Sequence, residues 1–102
     1  MPKFVNPIDE ELAGEAAASL GHSGRRLRKA LDALNSYDSQ VTASSRHANP
    51  AEREVLVAAA AEAYWGYIVQ RELLGLQDAE YIAREYNVPR EVVATAGPRR
   101  RR

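Results

Sequence analysis

Residues 55–69, VLVAAAAEAYWGYIV, carry one charged side chain, Glu62, and are otherwise apolar apart from the tyrosine hydroxyls. Wound at about 100° per residue, the stretch makes a helix with no wholly wet face. Such a helix has to be surrounded, and a chain of 102 residues has little with which to surround it. The stretch therefore predicts an all-α protein whose core is finished by a partner subunit. A bilayer is not the cover, because a span needs roughly 20 residues more hydrophobic than alanine. Arg53, Glu54, Arg71 and Glu72 also bracket the stretch closely.

Moving outward, two helix starts share one signature. Asn49, Pro50 and Glu52 give a capping side chain, a proline with no N–H to waste and an acid at the positive end of the helix dipole; Asn6, Pro7 and Asp9 repeat the arrangement. The second helix is predicted over residues 50–74, ending at Gly75. In the first, Leu12, Ala13, Ala16, Leu20, Leu27, Ala30, Leu31, Leu34 and Tyr37 keep one phase, with Glu11, Glu15, Arg25, Arg26, Lys29 and Asp32 opposite. That phase survives Gly21 and Gly24, so a single helix is predicted over residues 8–38. The polar stretch 39–48, SQVTASSRHA, is too short to do other than return the chain antiparallel. The result is a long helical hairpin. Two short helices follow, 78–86 and 89–96, with a turn at Asn87-Val88 and a stop at Gly97-Pro98. One helical domain over residues 1–98, completed as a dimeric bundle, is the expected architecture.

Composition bounds the chemistry. There is no cysteine, hence no disulfide, no thiolate metal site and no thiol nucleophile, and the start MPKFVNPID has no apolar run like that of a signal peptide. A cytoplasmic location is the expectation. The chain is formally neutral, but Arg99, Arg100, Arg101 and Arg102 form a basic tail, read as disordered, behind a mildly acidic body. His22 and His47 are isolated, and no Gly-rich phosphate loop or nucleophile-base spacing is present. No catalytic, cofactor or metal site is expected, and the protein is read as non-enzymatic.

Four features remain as candidate sites. Arg71 falls at an apolar position of the second helix, which calls for a carboxylate partner, with Asp78 first in line; the sharper reading is an anion site. Ala59, Ala63 and Gly66 make a shallow side open to close approach, and with Tyr64 and Trp65 they are the expected dimer interface. Arg25, Arg26, Arg28 and Lys29 are a basic cluster able to meet phosphates, although charge runs on a helix are usually just its solvated face. Finally, residues 76–97 resemble the helix-turn-helix of DNA-binding regulators, with Ile82 and Ala83 in the first helix and Val93 and Ala96 facing inward in the second. The reading helix is poor, offering Arg90 and Thr95 beside the acid Glu91.

Trp65, Val69, Gln70, Arg71 and Glu72, then Gly75, Leu76 and Asp78, then Pro89, Glu91 and Val92 spell a Trp-x-x-x-Val-Gln-Arg-Glu, Gly-Leu-x-Asp, Pro-x-Glu-Val series. With Leu20 to Leu27 upstream, this resembles a family of small bacterial proteins of unknown function, a resemblance that implies no activity, ligand or partner. The expected function is a homodimeric interaction or scaffold module with an unidentified protein partner. The alternative is nucleic-acid binding through the terminal helix pair, with Arg90 and Arg99 to Arg102 as contacts.

Overall fold

The computed structural model describes residues 7–97, with side chains from Glu11 onward. Four helices follow in order: α1 (Pro7–Thr42), α2 (Pro50–Leu73), α3 (Ala79–Glu85) and α4 (Arg90–Thr95). No strand occurs among the described residues. Helix α1 runs unbroken through Gly21 and Gly24, as the persistent phase requires. It ends four residues later than its apolar spacing predicts, because Val41, one turn beyond buried Tyr37, is itself half-buried. The polar neighbours of Val41 hide this extra turn from a reading by composition.

Helix caps follow the expected chemistry. Asn49 Oδ1 accepts from the N–H of Glu52 at 3.1 Å, with Pro50 opening the helix. Gly75, at φ +86°, closes α2: its N–H donates to Glu72 O while that of Leu76 donates to Arg71 O, the paired bonds of a glycine-terminated helix. Asn87, at φ +54°, does the same for α3, with Val88 N–H donating to Ala83 O. The Asn6 cap lies outside the described residues, as do Arg99 to Arg102.

Helices α1 and α2 pack as the hairpin, and α3 and α4 run back along it. The core joins Leu27, Leu31 and Leu34 of α1 to Val57, Ala60, Tyr64 and Ile68 of α2, with Ile82 and Val92 inserted from the terminal pair. At the loop end, the Tyr37 hydroxyl accepts from Asn49 N–H at 2.6 Å and donates to Asn49 O at 3.1 Å. At the other end, Gln70 bonds Ser19 and Ser23 of α1. Helix α2 ends about one turn beyond Gln70, at Leu73, so the part of α1 before about Ala16 projects past it. Its apolar stripe continues there uncovered, and Leu12 is 58% exposed. The radius of gyration is 17.2 Å, against about 13 Å for a compact chain of this length.

Candidate functional site

Arg71 and Asp78 meet across the α2–α3 turn. Nε donates to Oδ1 at 3.0 Å and Nη2 to Oδ2, a two-point ion pair, and the guanidinium also lies 5.5 Å from the centre of the Tyr67 ring. Hydrogen bonds from Arg71 hold the Asp78 carboxyl below its ordinary value, against the opposing effect of burial and with a smaller contribution from the positive charge. The pair is only partly buried, however, with side-chain exposures of 16% and 28%. Lying on the last turn of α2, Arg71 keeps one edge towards solvent: the Asp78 partner expected from the sequence is present, but the pair is partly rather than wholly withdrawn from water.

A second arginine does more. Arg53, on the same face of α2 five turns earlier, donates from Nε and Nη2 to Asp38 of α1 at 2.8 and 2.9 Å, and from Nη1 and Nη2 to Glu91 of α4 at 2.9 and 2.8 Å. One guanidinium thus fastens α1 and α4 to α2. Its hydrogen bonds hold Asp38 and Glu91 below their ordinary values and raise its own. Sequence reading treated Arg53 as a flanking charge. Its position, in phase with Val57, Ala60, Tyr64 and Arg71, was the available sign that it faces inward.

The residues expected at a dimer interface divide. Ala63 and Tyr64 lie in the chain's own core, and the Tyr64 hydroxyl donates to Ala79 O at 3.3 Å. This corrects their assignment to a second subunit: at their angular positions α1 and α3 already cover them. Ala59, Trp65 and Gly66 lie on the other side of α2 and are exposed. With them lie Val55, Ala58, Val69 and Leu73, a face apolar over about five turns with Glu62 at its middle. Val55 is 67% exposed and Leu73 81%.

In the terminal pair, the turn at Asn87 is left-handed as expected, and Ile82 faces inward. The second helix is rotated from the expected register. Val92, not Val93, is fully buried, because α4 lies on α2 with Glu91 drawn to Arg53; Val93 is turned out. Arg90 is exposed and lines, with Arg84, Asn87 and Val93, a shallow groove on the outer side of the pair. Among the described residues, no group of three or more His, Asp or Glu side chains is placed to hold a metal ion, and no helix is long and apolar enough to cross a membrane.

Of the ion-paired residues, Arg71, Asp78 and Glu91 belong to the Val-Gln-Arg-Glu, Gly-Leu-x-Asp and Pro-x-Glu-Val elements, whereas Arg53 and Asp38 lie outside them. The model of the family of unknown function DUF6665 matches residues 4–101, nearly the whole chain. The chain belongs to DUF6665. No curated protein and no solved structure gives a match. The DUF6665 match thus covers all four helices, both arginine clamps and the exposed face of α2.

Proposed function

We propose that this DUF6665 protein is a non-enzymatic interaction module that works as a homodimer, joined through the outer face of α2. The observation that carries the reading is that face itself: Val55, Ala58, Ala59, Trp65, Gly66 and Leu73 are exposed and Val69 is half-buried, an apolar surface around Glu62 that the described residues leave open.

A second copy also fits the pattern of sizes. In an antiparallel pairing about a two-fold axis at Glu62, Trp65 of each chain lies over Ala58 of the other, Gly66 over Ala59, and Val55 beside Val69. The same pairing brings the two Glu62 carboxylates together and Glu54 near the other chain's Glu72. Like charges oppose association, and salt screens them. Dimerisation should therefore tighten as ionic strength rises. Sedimentation from low micromolar to hundreds of micromolar protein, in low and high salt, tests this, with Trp65→Glu as the variant that stays monomeric. A chain that is monomeric throughout, with or without Trp65→Glu, would sink the proposal.

Salt also separates the competing reading. Nucleic-acid affinity resting on Arg90 and on Arg99 to Arg102 would be non-specific, would collapse with salt and would vanish with the four terminal arginines removed. Binding that is sequence-selective and survives that removal would put the terminal helix pair first.

A further inference from the structure

Where α1, α2 and α3 meet, Gly21 and Gly24 floor a groove of roughly 420 Å³ between α1 and the aromatic rings of Tyr67 and Tyr86. The glycines make the groove possible. A Cβ added at Gly24 would lie 3.0 Å from Tyr86 Oη and 3.4 Å from the Tyr67 ring. The rings meet edge to face, their centroids 5.7 Å apart.

Two guanidiniums converge on this floor. Arg25 folds back over Gly21, its Nη1 only 3.3 Å from where a Cβ would stand, and Arg28 lies on the Tyr86 ring, 4.7 Å from its centre. Neither has a carboxylate within ion-pairing distance among the described residues, whereas Arg46, Arg53 and Arg71 each have one. An arginine seated on an aromatic face keeps its N–H edge free for a planar or tetrahedral oxyanion. The remaining charged residue of the lining is Glu85, an acceptor suited to a hydroxyl or amino group.

We propose that this groove binds a small phosphate monoester carrying a planar ring, the phosphoryl group between Arg25 and Arg28 and the ring against Tyr67 and Tyr86. Two cations match a phosphate dianion better than a single carboxylate, and the volume exceeds what a bare phosphate fills. The assignment stands apart from dimerisation: the groove lies on the core side of α2, away from its outer face. Arg71, the anion-site candidate of the sequence, is already held by Asp78.

The test is a titration of ¹⁵N-labelled protein with phenyl phosphate, inorganic phosphate and phenol, followed by amide and arginine side-chain shifts. Phenyl phosphate should give saturable shifts at Gly21, Gly24, Arg25 and Arg28, inorganic phosphate weaker ones at the same residues, and phenol none. Because two charge-assisted contacts are lost, Arg25→Gln with Arg28→Gln should weaken phenyl phosphate about tenfold or more. Arg26→Gln, the same charge change on the outer side of α1, should leave the affinity within about twofold, and Glu85→Gln should tighten it. All these side chains are exposed, so an unchanged far-ultraviolet spectrum is expected for each variant. Equal loss from Arg26→Gln and Arg25→Gln would reduce the site to a general cation cloud and overturn the proposal, as would shifts that never saturate.

Discussion

Arg53 and Arg71 look alike in the sequence, one at each end of α2, yet they hold different amounts of structure. Arg71 ties one helix to the turn after it, while Arg53 ties three helices together. Arg53→Ala should therefore cost at least as much stability as Arg71→Ala, reversing the order that burial inferred from sequence would give. Its partners are substantially exposed, so the network contributes on the order of 1 kcal/mol, or about 5 °C in the thermal midpoint. Arg53→Lys should not restore the loss, since an ammonium has no fork to serve two carboxylates at once. A wild-type midpoint for Arg53→Lys would show the fork to be irrelevant. The same pairs set an acid limit. Asp38, Asp78 and Glu91 are held below ordinary values of 3.8, 3.8 and 4.5, chiefly by hydrogen bonds from their arginines. The unfolded chain takes up these protons first, so stability is full above that range and falls as pH drops through the lowered folded values. Thermal midpoints measured from neutral pH to about pH 3 should fall steeply at the acid end, and Arg53→Ala should flatten that limb. A third consequence lies at Gly24. Alanine there gains up to about 1 kcal/mol of helix propensity but forces the Tyr86 hydroxyl aside. Gly24→Ala should thus stabilise only in combination with Tyr86→Phe, whereas Gly14→Ala, with nothing near the added carbon, should stabilise alone. Chemical denaturation of the four variants distinguishes these outcomes.

At the scale of elements, α2 is the piece that organises the rest, and each side of it was legible to a different degree. Its apolar content and its Asn-Pro start gave the helix and its boundaries, because capping and periodicity are local properties. Which apolar residues face inward was harder to read: on a helix that is apolar all round, periodicity cannot distinguish the covered side from the open one. Ala63 and Tyr64 were therefore assigned outward and lie inward. Charged residues on the same wheel carry the missing information, since Arg53 and Arg71 flank the buried side and Glu62 marks the open one. The rotation of α4 has a similar cause, because a six-residue helix has too few turns to show a period, and its docking depends on Arg53, distant in sequence. The groove at Gly21 and Gly24 was not visible at all; the glycines read as weak points of α1, and only the approach of Tyr86 from α3 gives them a role. The outer face supplies its own check. Glu62→Gln removes the like-charge pair at the two-fold axis and should strengthen self-association about tenfold at low salt, an effect that disappears at high salt. No change in the sedimentation isotherm would place the axis elsewhere.

At the scale of the whole molecule, the mismatch in length between α1 and α2 leaves the start of α1 without tertiary support. Amides in that overhang, up to about Glu15, should exchange with solvent fastest of any in α1, while those around Leu27 to Leu34 should be the slowest. If the exposed stripe at Leu12 is covered in the dimer, exchange there will slow as protein concentration rises; concentration-independent exchange would confine the interface to α2. The same geometry separates the two ends of the described chain. Pro7 is the far tip of α1, whereas α4 is fastened by Glu91 beside Asp38, at the loop end. Along the helix axis, residues 7 and 38 are about 45 Å apart. A circularly permuted chain, opened in the loop between α1 and α2, would need a connector long enough to run back along α1 from the end of α4 to residue 7. A shorter connector could close only by prising α4 off Arg53 or bending α1 at Gly21 and Gly24.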